Sequence, residues 1–432
     1  MASIRKRGNT YQITVSAGRD ITGRQLIETA TFVPDKTKTP KQQQKDLDAF
    51  VYEFEQKVKN NQRLQGDKVT LAAFSEYWLK EYAEYKMEPG TVSRHKVTLR
   101  DKILPALGHL KMTEIKPLTL TRFYNAMAKD GVRAFGKPGG YAKATIQKMH
   151  NILSSMFRCA VTWEIIETNP CSKVSPQAGE RDITETVKYW TAEQAILFLS
   201  IIEKPYTVPI KGHDRIDDTG KPYHVDDYTM TKVLPLQFRV LFNLALFGGL
   251  RKGELLALTW DDIDFEHNSI SITKSMALVD GVPLIKKPKT KGSVRTVTVP
   301  KSIMNMLKVY RAEQIEYRFK LADYWKGENW IFIQQDGKLM NYYTPYSTFK
   351  DVIRRYNDSV QDEKLKLPDI PFHGLRHTSA TLLIGERVDV RTVAARLGHS
   401  ETSTTLNIYA HALKEHDTIA SDSLEKRLLK NA

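Results

Sequence analysis

Residues 373–383 read HGLRHTSATLL, and residues 397–411 read LGHSETSTTLNIYAH. His373 and His377 stand four apart, the spacing that places two imidazoles on one helical face and invites a zinc site. Arg376 shares that face, and the glutamate of an HExxH helix is missing. A guanidinium beside a dication is repulsive, so the metal reading is set aside and no metal or cofactor is expected. A phosphodiester gives each residue work instead. Arginines bind its nonbridging oxygens in bidentate fashion, and histidines donate or exchange protons. Phosphoryl transfer without a metal needs fixed cations, a nucleophile and an acid for the leaving group.

Working outward, the apolar run Leu234 to Phe247 predicts a buried helix that turns at Gly248 and Gly249 into LRKGELLALTW. Arg251 is therefore expected at the edge of a helix pair, where it can serve a phosphate or pair with Glu254 at i+3. After a strand at SISIT (Ser269 to Thr273) comes the basic stretch IKKPKTKGSVRTVTVP, residues 285–300. Val294, Val297 and Val299 mark a strand in it, KTKGS reads as a hairpin turn, and Lys289 sits at the tip. A lysine there is either solvated charge or the acid that protonates a leaving oxygen. Lys287, Lys291 and Arg295 are candidate DNA contacts on the same stretch. Arg251, Lys289, His373, Arg376, His399 and Tyr409 together supply cations, acid and nucleophile, with Glu254 and His377 in support. Tyr409 is the candidate nucleophile because it follows the LGHS turn and a threonine-rich connection.

These segments, GGLRKGEL (248–255), PKTKGSVRTV (288–297), HGLRHTSATLL (373–383) and LGHSETSTTLNIYAH (397–411), occur in the order found in the tyrosine recombinase family of phage integrase type, which the sequence resembles over its last 240 or so residues. The resemblance implies that Arg251 and Arg376 hold the scissile phosphate, that Lys289 protonates the departing 5′ oxygen, and that His373 assists deprotonation of Tyr409. His399 would hydrogen-bond the phosphate. Tyr409 would attack to leave a 3′-phosphotyrosyl bond, which conserves the energy of the broken ester, so that neither ATP nor a metal is required. The resemblance further implies duplex attachment sites, a four-way junction, a homotetramer on DNA, a DNA-bending host factor and an excision factor.

The remainder of the chain is read from composition and pattern. With 432 residues and 41% hydrophobic content, it has material for two or three cores. The 65 Lys and Arg against 50 Asp and Glu give a net charge of +15, which attracts a polyanion. No apolar run of about 18 residues is present to span a bilayer. MASIRKRGNT also lacks a signal peptide's apolar stretch. The expected location is cytoplasmic, at the bacterial nucleoid, with no membrane partner. Cys159 and Cys171 read as ordinary thiols.

The expected fold class is multidomain and mainly α with small β-sheets: an N-terminal three-stranded sheet plus helix, a helical core-binding bundle and a mixed α+β catalytic domain. YQITVS (11–16) and RQLIETATFV (24–33) alternate as an antiparallel sheet, and Leu47, Phe50, Val51, Phe54 and Val58 form a helical stripe that packs on it. Residues 1–64 resemble an arm-type DNA-binding domain whose Arg5, Lys6, Arg7, Arg19 and Arg24 either track phosphates or are solvated charge. Residues 66–165 are helical, with Leu71, Phe74, Tyr77, Trp78 and Tyr82 as one stripe. They resemble the family's core-binding, SAM-like domain. Residues 172–186 read as a linker and 187–416 as the catalytic domain, its first helix capped by Thr191. Within the latter, 204–233 has little periodicity and reads as a mobile surface insertion. Ile419, Ala420, Leu424 and Leu428 predict an amphipathic helix over 417–432 that exchanges between protomers. The function expected is a site-specific recombinase that integrates a phage or conjugative element, with excision as the reverse direction. The alternatives are a type IB topoisomerase-like enzyme and a catalytically idle DNA-binding regulator.

Overall fold

Alternating residues at the N-terminus close a three-stranded antiparallel sheet from β1 (Ser3–Arg7), β2 (Thr10–Arg19) and β3 (Gln25–Phe32). A computed structural model describes residues 2–19, 25–35, 37–61, 69–133, 138–176, 188–287 and 293–398. The chain divides into two units, Met1–Asp182 and Ile183–Ala432. In the first, α1 (Pro40–Asn61) lays its predicted stripe on the sheet: Leu47 and Val58 are buried with Ile13 and Val15, and Phe50, Val51 and Phe54 pack alongside.

A second core of this unit is helical. It comprises α2 (Leu71–Trp78), a π-helical turn Leu79–Ala83, α3 (Glu84–Lys86), α4 (Pro89–Thr98), a second π-helical turn Leu99–Ile103, α5 (Leu104–Leu107), α6 (Pro117–Met127) and α7 (Lys143–Thr162). Thr70 caps α2 by accepting the Ala73 amide, and Leu71, Phe74, Ser75 and Trp78 then follow at helical spacing into the core. Tyr77 departs from the expected stripe and is 46% exposed, because it lies one residue off that face. Cys159 and Cys171 are buried free thiols, and burial pushes the Cys171 thiol up to about 12. A short 3-10 turn, Pro170–Lys173, follows α7, and residues 177–186 of the expected linker, with residue 187 after it, lie outside the described residues. No described helix is long and apolar enough to cross a membrane.

The second unit opens on α8 (Ala192–Glu203), whose Thr191 cap and Gln194 form reciprocal bonds of 3.3 and 3.0 Å. Next come β4 (Tyr206–Ile210), β5 (His213–Ile216), β6 (Pro222–Val225) and β7 (Tyr228–Lys232). β4 pairs with β7 and β5 with β6, so 204–233 is a regular antiparallel arm and not the aperiodic insertion expected. Its turn is held by Asp217 Oδ1, which accepts from the Thr219 and Lys221 amides, and by Gly220 at φ +85°. The Arg355 guanidinium lies 3.5 Å from the Tyr206 ring centroid at the base of the arm.

The centre of the unit is α9 (Leu236–Phe247), in which Val240 through Leu246 are all buried. A helical stretch apolar on nearly every side belongs inside a core, and its one polar residue, Asn243, is satisfied by donating to the Arg239 carbonyl at 2.8 Å. Phe242 meets Phe198, Phe349 and Phe372 at ring-centroid distances of 5.5, 5.8 and 6.3 Å, and Trp190 closes the cluster 4.9 Å from Phe198. After α9 follow α10 (Lys252–Leu256), β8 (Ile263–Asp264), β9 (Ser269–Ile272), β10 (Ser275–Val279), β11 (Val282–Lys286), β12 (Arg295–Thr298), α11 (Lys301–Leu321), α12 (Thr344–Ser359), α13 (Gly374–Gly385) and α14 (Val390–Leu397).

The expectation that 285–300 forms one hairpin is corrected by the pairing. β11 pairs with β10, whereas β12 pairs with β9 in a separate sheet ordered β12-β9-β8. Both partners precede the basic stretch in sequence, and Asp280 and Gly281, at φ +51° and +82°, supply the tight turn at 280–281.

Candidate active site

The site is assembled on two tight turns. The first, between α9 and α10, carries Gly249 at φ +61°, where an added Cβ would stand 2.7 Å from Leu397 Cδ2 and 3.4 Å from Ser379 Oγ. Only glycine combines that backbone with that approach. The second turn ends α14, where Gly398 takes the left-handed conformation at φ +67° and its amide bonds back to Ala394 and Ala395.

Arg251 caps the start of α10. Its amide donates to Glu254 Oε2 at 2.9 Å, Nη1 to Glu254 Oε1 at 2.8 Å, and Nη2 to the Gly398 carbonyl at 3.1 Å. The i+3 pairing anticipated as the alternative for Arg251 is thus present, alongside a brace 147 residues away in sequence. Arg376, on α13, is 2% exposed. It donates through Nη1 to the Gly249 carbonyl at 2.8 Å and through Nη2 to the Leu397 carbonyl at 2.6 Å. Both arginines therefore rest against the same pair of turns.

His373 precedes α13 and is exposed, with its ring centroid 4.7 Å from that of His377. Burial, reinforced by the Arg376 charge, pushes the His377 imidazole down to about 4. His377 is accordingly neutral at physiological pH.

Arg295 corrects another expectation. Offered as a DNA contact, its side chain is 7% exposed and its fork is turned inward. Nη2 and Nη1 donate to Glu254 Oε2 and Oε1 at 2.9 and 3.1 Å, while Nε donates to the Arg396 carbonyl at 2.6 Å. Burial works against ionising Glu254, but the bonds and charge of Arg295, followed by those of Arg251, prevail and hold its carboxyl below the ordinary value.

Two further contributors escaped the sequence reading. Arg396, immediately before the LGHS motif, donates to the carbonyls of Phe247 at 2.6 Å and Thr298 at 3.0 Å. Its position beside a motif residue was the available signal. Lys252 lies 3.7 Å from the Tyr342 ring centroid, a partner no local pattern announces.

Arg5, Lys6 and Arg7 are exposed along β1, and Lys287 is exposed just after β11. Arg19 ends β2, and its side chain is outside the described residues. Arg24, Lys289, Lys291, His399, Tyr409 and the helix expected over 417–432 likewise lie outside them. What the described residues bring together is three guanidinium ions, from Arg251, Arg295 and Arg376, on the carbonyls of the 396–398 turn, while that of Arg396 bonds the Phe247 and Thr298 carbonyls. Arg295 spends its fork on the protein, and the pair Arg251 and Arg376 suits an anion with several oxygens.

The phage integrase family model matches residues 223–416, and the model for the phage integrase N-terminal SAM-like domain matches residues 70–128. A tyrosine recombinase XerC-like protein of Caldanaerobacter subterraneus subsp. tengcongensis is 29% identical over 96% of this chain and 95% of its own length. Among solved structures, the Tn1549 transposon integrase bound to transposon right end DNA superimposes with a TM-score of 0.60, at 22% identity, over 82% of this chain and all of that one. A lambda integrase tetramer bound to a Holliday junction gives a TM-score of 0.50 at 15% identity, over 92% of this chain and 96% of that one.

Proposed function

The chain belongs to the tyrosine recombinase (phage integrase) family, and from that premise we propose that Arg251, Lys289, His373, Arg376, His399 and Tyr409 carry out its cleavage and rejoining of duplex DNA at the attachment sites of a mobile element. The observation that supports this reading best is the convergence of Arg251 and Arg376, 125 positions apart, on adjacent carbonyls of one turn. A phosphodiester under attack gathers charge on its nonbridging oxygens, and donors fixed beforehand stabilise that charge without reorganising.

Tyr409 attacks the phosphorus, the bond to the 5′ oxygen breaks, and Lys289 supplies the proton that the leaving oxygen needs. A phenol titrates near pH 10, so its proton needs an acceptor at neutral pH, and His373 serves. His399 donates to a nonbridging oxygen. The resulting 3′-phosphotyrosyl ester retains the energy of the original ester, and attack by the 5′ hydroxyl of a second duplex reverses the step on a new partner.

The exposed basic strand β1 supports an arm-site contact by residues 1–64, with core DNA held by 66–165 and 187–416. Four protomers would hold two duplexes and exchange the 417–432 segment between neighbouring protomers, each with its two DNA-holding bodies joined by the 172–186 linker, assisted by a DNA-bending host factor and an excision factor at the nucleoid.

Tyr409→Phe tests the assignment. It removes the attacking oxygen alone, so specific DNA binding persists while the covalent adduct on a nicked suicide duplex disappears. An adduct of unchanged yield excludes Tyr409 as the nucleophile.

A further inference from the structure

The last carbonyls of a helix lack amide partners within it and carry the negative end of its dipole. At the end of α14 three successive carbonyls are each taken by a different guanidinium: Arg396 O by Arg295, Leu397 O by Arg376, and Gly398 O by Arg251. Two of these arginines belong to the proposed phosphate-binding pair. The third, Arg295, comes from β12 and is nearly enclosed.

Arg295 differs from the other two in its second set of bonds. Its two terminal nitrogens span both oxygens of Glu254, the same carboxylate that fixes the Arg251 amide and Nη1. It therefore touches both supports of Arg251, the carboxylate and the turn. The place a Cβ would take on Gly398 lies 2.9 Å from Arg295 Nη1, so the guanidinium also packs directly on the turn that leads to His399.

We propose that Arg295 is a positioning residue for DNA cleavage: by clamping Glu254 and the 396–398 turn together, it sets the orientation of the Arg251 guanidinium toward the scissile phosphate. The inference rests on the recombinase function proposed above. Arg295 itself touches no substrate, because its donors are turned onto the protein. Its effect falls on the rate of the chemical step, with core-site affinity retained.

The clamp has a second consequence that a merely structural ion pair would not show in the cleavage rate. Burial already works against the Glu254 charge, and Arg295 is the stronger of the two arginines that oppose it. With Arg295 gone, Glu254 takes up a proton at higher pH and can no longer accept two bonds from Arg251. Cleavage then gains an acid-side decline beyond the one that protonation of His373 gives the unaltered protein.

The experiment measures adduct formation by the full chain on a nicked suicide duplex as a function of pH, with core-site binding measured in parallel. Arg295→Met is expected to slow adduct formation about ten- to a hundredfold, the scale of a small misplacement of a catalytic group. Its rate should also fall between neutrality and the ordinary glutamate value of about 4.3 more steeply than that of the unaltered chain. The double variant Arg295→Met/Glu254→Gln has no carboxyl to titrate and should lose that extra decline. Arg295→Lys keeps the charge and so the pH profile, yet a single ammonium cannot span two carboxylate oxygens and a carbonyl, so its rate stays reduced. Unaltered rate and pH profile in Arg295→Met overturn the proposal. Should that variant fail to fold, an unaltered rate in Arg295→Lys overturns it equally. An unaltered chain that forms no adduct overturns the recombinase function itself, and this inference with it.

Discussion

Replacing Gly249 with alanine tests the tight turn on which the arginines converge. At φ +61° a side chain costs about 1–2 kcal/mol in backbone strain. The new Cβ would also stand 2.7 Å from Leu397 Cδ2, and forcing a methyl group into a packed core costs about 1–3 kcal/mol. The two together come to about 2–5 kcal/mol, which lowers the Tm of a unit of this size by about 4–20 °C. Scanning calorimetry of the full chain, read at the transition of the Ile183–Ala432 unit, measures it. The Gly249 carbonyl accepts Arg376 Nη1, so the same shift should slow adduct formation about a hundredfold at temperatures well below melting. Leu397→Ala, at a fully buried position, costs about 2–5 kcal/mol alone. Because it removes the atom that the new methyl strikes, the double variant should be more stable than the sum by about 1–3 kcal/mol. Costs that add within about 0.5 kcal/mol would refute the collision, and an unchanged Tm for Gly249→Ala would refute the tight approach altogether.

Lys289→Ala should slow cleavage of an ordinary duplex and recover on one whose 5′ bridging oxygen is sulfur, a leaving group that needs no acid; equal slowing on both removes Lys289 from the role. His377, held near 4 by burial and Arg376 against an ordinary 6.5, contributes stability in full above about 6.5 that is lost as pH falls toward 4. His377→Gln lacks that titration, so its Tm should decline less on acidification than that of the unaltered chain, and parallel curves of Tm against pH would contradict the assignment.

Local pattern carried far where the determinants are local. Thr191 and Gln194 announce a capped helix within four residues, and Leu47, Phe50, Val51, Phe54 and Val58 announce the face that α1 lays on its sheet. Helix bonds and caps join near neighbours, so short windows contain them. Strand partners are not so encoded. Residues 285–300 look like a hairpin because two strands flank a basic turn, yet each strand finds its partner earlier in the chain. The arm at 206–232 was missed for a different reason: most of its residues are polar and exposed, so alternation there carries little hydropathy contrast. Arg295 was legible and misread. Period two puts it on the face of Val297 and Val299, which are 1% and 3% exposed, and that alone argued against a solvent-facing phosphate contact.

The braces chosen for the arginines bear on the chemistry they would perform. A carboxylate beside each guanidinium would orient it but cancel its charge. A carbonyl orients while carrying only a dipole, and the end of α14 offers three in succession. Glu254 is shared by Arg251 and Arg295, so one negative charge serves two cations. Of the two, Arg251 is the more open, with 36% of its side chain exposed against 7%. A guanidinium has five N–H donors, and the side-chain bonds of Arg251 to Glu254 and Gly398 occupy two, leaving others for an oxyanion. Crowding like charges raises the energy of the empty site, and an entering phosphate relieves that repulsion, the more so as negative charge builds on its oxygens during attack. With Arg251 and Arg376 in the proposed role, the arrangement would favour the reacting phosphate over the resting one, which is the condition for accelerating the step and not merely for binding DNA.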